Sequence, residues 1–60
     1  LPEAGAIYAF KNFKGEDSYM ILIERKDSVS WWMLELDKNA RVWDYDSHIT
    51  KRDSGYRRIA

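Results

Sequence analysis

Apolar and polar positions alternate along most of this 60-residue chain. In "AIYAFKNF" Ile7 and Ala9 fall on one side and Tyr8 and Phe10 on the other, the period of two of a β-strand. "YMILIERK" is apolar on both sides, as a central buried strand would be. "WWMLEL" sets Trp32, Leu34 and Leu36 on one face and Trp31, Met33 and Glu35 on the other. "RVWDY" separates Val42 and Asp44 from Trp43 and Tyr45. Between these runs stand turn clusters: "KGEDS" around Gly15, the short polar "KDSVS", and "DKNA", where Asn39 tolerates a positive φ. "LPEAG" is an irregular entry segment because Pro2 and Gly5 discourage regular structure. The pattern predicts an antiparallel meander with strands at about 6–13, 19–26, 30–36 and 41–46. "DSHITKRDSG" is polar and irregular, with room for one helical turn, and "YRRIA" can form a last strand. The expected fold is all-β: a small four- to five-stranded antiparallel barrel or strongly bent meander. It is one domain over 1–60, with 47–60 a partly irregular basic tail.

A chain this short buries only about 60% of the surface it exposes when unfolded, so large aromatic side chains are a needed source of buried area. Three tryptophans, four tyrosines and two phenylalanines supply it. There is no cysteine, which excludes disulfides and thiolate metal sites and points weakly to a reducing, intracellular (cytoplasmic) setting. No apolar run approaches the about 18 residues of a membrane-spanning helix, and the N-terminus lacks a signal pattern. The start at Leu1 is what an excised domain or a processed product would show.

Net charge is zero, but its distribution is uneven. Up to residue 46, six Lys and Arg stand against nine Asp and Glu, leaving −3; from residue 47, Lys51, Arg52, Arg57 and Arg58 stand against Asp53, leaving +3. Zero total charge disfavours strong non-specific nucleic-acid binding, while the basic tail keeps a local patch open.

The motifs "AIYAF" at 6–10, "MILIERKDSVSWWMLEL" at 20–36 and the return strand at 41–45 resemble the SH3 domain family. That family opens with an A-L-Y-D-Y strand and carries a W-W pair before a hairpin return. The resemblance implies an aromatic groove for proline-rich peptides at Tyr8, Phe10 and Trp31, with Glu16 and Asp17 matching the acidic loop that pairs with a ligand's basic residue. The chain differs from the family in its short first loop, in having "WDYDSHI" where the family has a proline-and-tyrosine stretch, and in its longer tail.

Catalytic signatures are absent. His48 is the only histidine. Asp44 and Asp46 nearby could help it hold a weak divalent ion, but a solvated polar loop accounts for the same residues. The serines lack a glycine elbow, and the glycines form no phosphate loop. No cofactor or metal is expected, and an enzyme is not expected.

Adjacent strand residues point to opposite faces, so Trp31 and Trp32 cannot enter one core. Trp32, with Leu34 and Leu36, is the core candidate and should be the best-buried tryptophan. Trp31 is the surface candidate, unless a second apolar layer covers it. Trp43 and Tyr45 form an aromatic pair whose bland role is sheet stability.

Together these features predict a non-catalytic protein-interaction module. It would bind an extended peptide carrying Pro and basic residues through Tyr8, Phe10, Trp31 and Trp43, beside Glu16, Asp17 and Glu35. Two alternatives stand beside it. One is a nucleic-acid-binding small β-barrel using the basic tail. The other is a small inhibitor or assembly subunit using its aromatic face against a folded partner or its own copy.

Overall fold

The computed structural model describes residues 2–51 and 55–60; Leu1 and the tail residues Arg52, Asp53 and Ser54 lie outside the described residues. Its elements are β1 (Ile7–Lys11), β2 (Asp17–Asp27), β3 (Ser30–Glu35), β4 (Ala40–Tyr45), α1 (Asp46–Thr50) and β5 (Arg57–Arg58). The strands form one antiparallel sheet in the order β4-β3-β2-β1-β5. The meander follows the sequence pattern, the helical turn falls inside "DSHIT", and the last strand falls inside "YRRIA". The sheet is not closed into a barrel: β4 and β5 are its two edges.

Each turn has a local cause. Asn12 Oδ1 accepts hydrogen bonds from the backbone N–H of Lys14 and Glu16 at 2.9 and 3.1 Å, holding the β1–β2 connection while Gly15 takes φ +79°. Asp27 Oδ1 accepts from Val29 N at 2.9 Å and from Ser30 Oγ at 2.7 Å, so the β2–β3 turn closes around one carboxylate. Asn39, at φ 50°, supplies the left-handed residue of the β3–β4 connection.

Register assigns the faces. Met20 aligns with Tyr8 on β1 and Glu35 on β3; Leu22 aligns with Met33, which aligns with Val42. Ala6, Tyr8, Met20, Leu22, Trp31, Met33 and Ile49 make the buried core, with Phe10, Val42 and Tyr56 packed at its border. A register shift between Leu22 and Glu24 inserts one extra residue, so Leu22 and Arg25 both face the core side although three positions apart. Arg25 then reaches over the Trp31 ring at 4.8 Å and binds both oxygens of Asp46, at 2.8 and 2.6 Å, at the start of α1. Five residues cannot hold a helix alone, and α1 has no side-chain cap. It is kept by the burial of Ile49 and by the Arg25–Asp46 pair.

The assignment of the tryptophans is reversed. Trp31 is 5% exposed and belongs to the core, whereas Trp32 is half-buried on the opposite face. The cause is the helix: Ile49 of α1 packs with Trp31 and Met33, and no helix or strand among the described residues lies over the Trp32, Leu34 and Leu36 side. Hydrophobicity within β3 favours the wrong face because the covering element comes from a polar stretch in which only Ile49 is strongly apolar. Tyr8 is likewise core, at 7% exposure. No helix among the described residues is long and apolar enough to cross a membrane.

Candidate functional site

The residues singled out from the sequence are divided between the two sides of the sheet. Tyr8 and Trp31 are interior and cannot line a groove. Phe10 is half-buried at the core's edge, on the same face. Glu16 sits exposed in the β1–β2 turn, and Asp17 pairs with Lys11 at 2.9 Å. That hydrogen bond and the lysine's charge hold the Asp17 carboxyl below the usual carboxylate range. Trp43 is 44% exposed on the far face. Tyr8, Phe10 and Trp31 therefore share one side, and Trp43 the other.

Two surfaces emerge in their place. The first is the open face of the sheet. Ile7, Ile21 and Leu34 align across β1, β2 and β3; Trp32 aligns with Trp43; Leu36 N donates to Tyr19 O at 2.9 Å. The inserted Ile23 adds another side chain. Tyr19, Ile23, Leu36, Trp43 and Tyr45 are each more than a third exposed. An antiparallel sheet with one face in water usually alternates apolar-in and polar-out; here both sides are apolar. The rim is mainly cationic. Arg41 stacks over Trp32 at 4.5 Å and pairs with Glu24 at 2.9 Å. Lys26 lies over Trp43 at 4.7 Å and Trp32 at 5.8 Å. Arg57, aligned with Ala9, faces the same side. Trp43 and Tyr45 meet edge-to-face at 5.1 Å.

The second surface is a cleft of about 550 Å³ on the core side, lined by Phe10, Lys11, Asp44, His48, Lys51, Gly55 and Tyr56. Asp44 organises it. Its Oδ2 accepts from the Tyr56 hydroxyl at 3.0 Å, and its Oδ1 lies 2.7 Å from both Tyr45 N and His48 Nδ1. Burial, and next the hydrogen bond to Asp44, push the Tyr56 phenol well above its ordinary range. The Phe10 and Tyr56 rings are 5.9 Å apart. Asp46, which the sequence groups with Asp44 and His48, turns instead to Arg25. No group of three metal-ligating side chains occurs among the described residues.

Sequence reasoning missed Tyr19, Ile23, Trp32 and Leu36 as surface and Tyr56 as a cleft wall. The signal for the former was present: β2 and β3 are apolar on both faces, and 60 residues contain too few elements to cover both. Comparison with protein-family models, with curated proteins and with solved structures finds no match for this chain.

Proposed function

We propose that this chain is a non-catalytic protein-interaction module that docks through the open face of its sheet. The observation that carries the proposal is the open face on which Tyr19, Ile23, Leu36 and Trp43 are exposed around the half-buried Ile21, Trp32 and Leu34. Extended exposed apolar patches on small domains mark contact sites. Tryptophan, tyrosine and arginine are also the residues that most often dominate binding energy.

The occupant is a folded partner with an apolar contact ringed by carboxylates. Charge supports this choice: Lys11, Lys26, Arg41 and Arg57 border the face, against Asp17, Glu24 and Asp27. The three acids are engaged by Lys11, Arg41 and Lys26, leaving Arg57 as the cation in excess. A broad open sheet face also suits a folded surface better than an extended peptide, which needs a narrow groove. An SH3-like fold remains part of the proposal, supported by "AIYAF" as the first strand and by a fifth strand that returns beside it. The basic peptide implied by that resemblance would meet a basic rim on this face.

The test begins with affinity purification from the native source, comparing the parent chain with Leu36→Glu/Trp43→Ser. A protein retained only by the parent is identified, purified and titrated calorimetrically against both forms. Loss of binding in the double variant, with unchanged thermal unfolding and weaker binding at high salt, supports the proposal. Equal binding by the two forms overturns it. So does tight binding of a Pro-rich basic peptide that shifts only cleft resonances.

A further inference from the structure

The cleft on the core side is independent of the docking face and carries chemistry of its own. We infer that it is a binding site for a nucleoside phosphate, with the ring against Phe10 and Tyr56 and the phosphate held by Lys51 and His48.

The volume, about 550 Å³, lies in the range of small-ligand sites. One wall is aromatic: the Phe10 and Tyr56 rings meet at a tilt of 58°, and Tyr56 is braced edge-to-face on buried Tyr8 at 6.4 Å. A fixed aromatic wall accepts any base through its π-face without needing a base-specific partner. Cations line the rest. Lys51 makes no ion pair or hydrogen bond with another described side chain. Lys11 also borders the cleft but is already paired with Asp17 at 2.9 Å.

Asp44 brings a negative charge into the cleft that Lys51 must outweigh, although its oxygens are taken up by neighbours. One takes the Tyr56 hydroxyl; the other takes Tyr45 N and His48 Nδ1. Occupying Nδ1 fixes the ring of His48 and leaves Nε2 as its free nitrogen, the one able to donate to a phosphate when the imidazole is protonated. Tyr56, held as a neutral phenol by burial and by Asp44, adds no negative charge. The cleft thus combines a neutral aromatic wall, an oriented imidazole, the Lys51 ammonium and the Asp44 carboxylate. That set matches a planar ring joined to a phosphate, either a free mononucleotide or one nucleotide of a single strand.

The experiment is a titration of the ¹⁵N-labelled chain with adenosine 5′-monophosphate, adenosine, inorganic phosphate and a short single-stranded oligonucleotide. The expected result is saturable millimolar or tighter binding of the monophosphate, with shifts at Phe10, His48, Lys51 and Tyr56 and far weaker effects of adenosine or phosphate alone. A strand that binds more tightly than the mononucleotide makes nucleic acid the source; equal or weaker binding makes it the free nucleotide. Lys51→Ala, at an exposed position, should weaken binding several-fold and leave thermal unfolding unchanged. Phe10→Leu should weaken the monophosphate more than phosphate. No shift at millimolar monophosphate, shifts confined to Trp32 and Trp43, or identical responses to phosphate and monophosphate would each overturn the inference. The outer-face variant Leu36→Glu/Trp43→Ser should bind the monophosphate as the parent does, so failure here and failure of the docking proposal are distinguishable.

Discussion

At the scale of single residues, the three tryptophans divide the labour that their clustering in the sequence conceals. Trp31 is in the core, with Arg25 over its ring, and its indole N–H has no hydrogen-bond partner. An unpaired buried donor costs about 1–3 kcal/mol, so the ring is retained for its area and not for its nitrogen. Trp31→Ala should therefore cost on the order of 3–5 kcal/mol, while Trp31→Phe costs much less because it removes the orphaned N–H while keeping an aromatic ring. Trp43→Ala, at a half-open site, should stay near 1 kcal/mol. Urea unfolding of the three variants gives the ranking directly; a Trp43 variant as damaged as Trp31→Ala would contradict the assignment of faces. Tyr56 provides a second probe. Its folded-state phenol is raised above the unfolded value, so the contribution to stability is complete below the ordinary phenol range and is lost as pH rises through the folded value. In alkaline difference spectra, the ionisation removed by Tyr56→Phe should appear only as the chain unfolds.

At the scale of elements, β-strands and their order of pairing were legible because the period of two survives in β1, β3 and β4, and because Gly15, Asn39 and the 27–30 turn carry local instructions. What was not legible is which side of β3 would be covered. Trp32, Leu34 and Leu36 outweigh Trp31 and Met33 in apolar character, and only Ile49, arriving in a five-residue helix, decides the matter. The candidate site inherited that error at Trp31, placed on the surface through an assignment of faces that a single distant contact inverts; Tyr8 was placed there by the SH3 resemblance, and it too is core. The β2–β3 turn shows the opposite case, an element set by one residue. Asp27 is held below the usual carboxylate range first by Ser30 and then by the Val29 N–H. A depressed carboxyl stabilises the fold above its unfolded value and ceases to do so as pH falls through its folded value. Glu3, paired with Arg58, and Asp17, paired with Lys11, act in the same direction. The midpoint of thermal unfolding should therefore fall as pH is lowered from about 5 toward 2. Asp27→Asn should flatten part of that fall while lowering the midpoint at neutral pH; an unchanged acid slope would remove Asp27 from this role.

At the scale of the whole molecule, the sheet has two apolar sides and one cover. The covered side is closed by Ile49 and bordered by Phe10, Val42 and Tyr56, with Arg25–Asp46 and Asp44–His48 tying the helix to the strands beneath it. The open side carries comparable apolar character with no helix or strand of the described residues over it, so its residues bury less area in the isolated fold. This asymmetry makes stability and binding separable by position. Ile49→Ala should cost about 2–5 kcal/mol, the usual range for emptying a core isoleucine, and a domain of this size has little more than that to lose. Leu36→Ala and Ile23→Ala, which remove side chains already close to half exposed at 46% and 40%, should each cost well under half as much. Hydrogen exchange followed by NMR on the same variants resolves the reason. Ile49→Ala should accelerate exchange at Trp31, Met33 and Leu22 together, because α1 is the only element among the described residues that covers them. Leu36→Ala should leave those amides protected. Comparable losses from the two sides, or protection at Trp31 that survives Ile49→Ala, would mean that the open face is part of the core of the free chain and not a surface waiting for a partner.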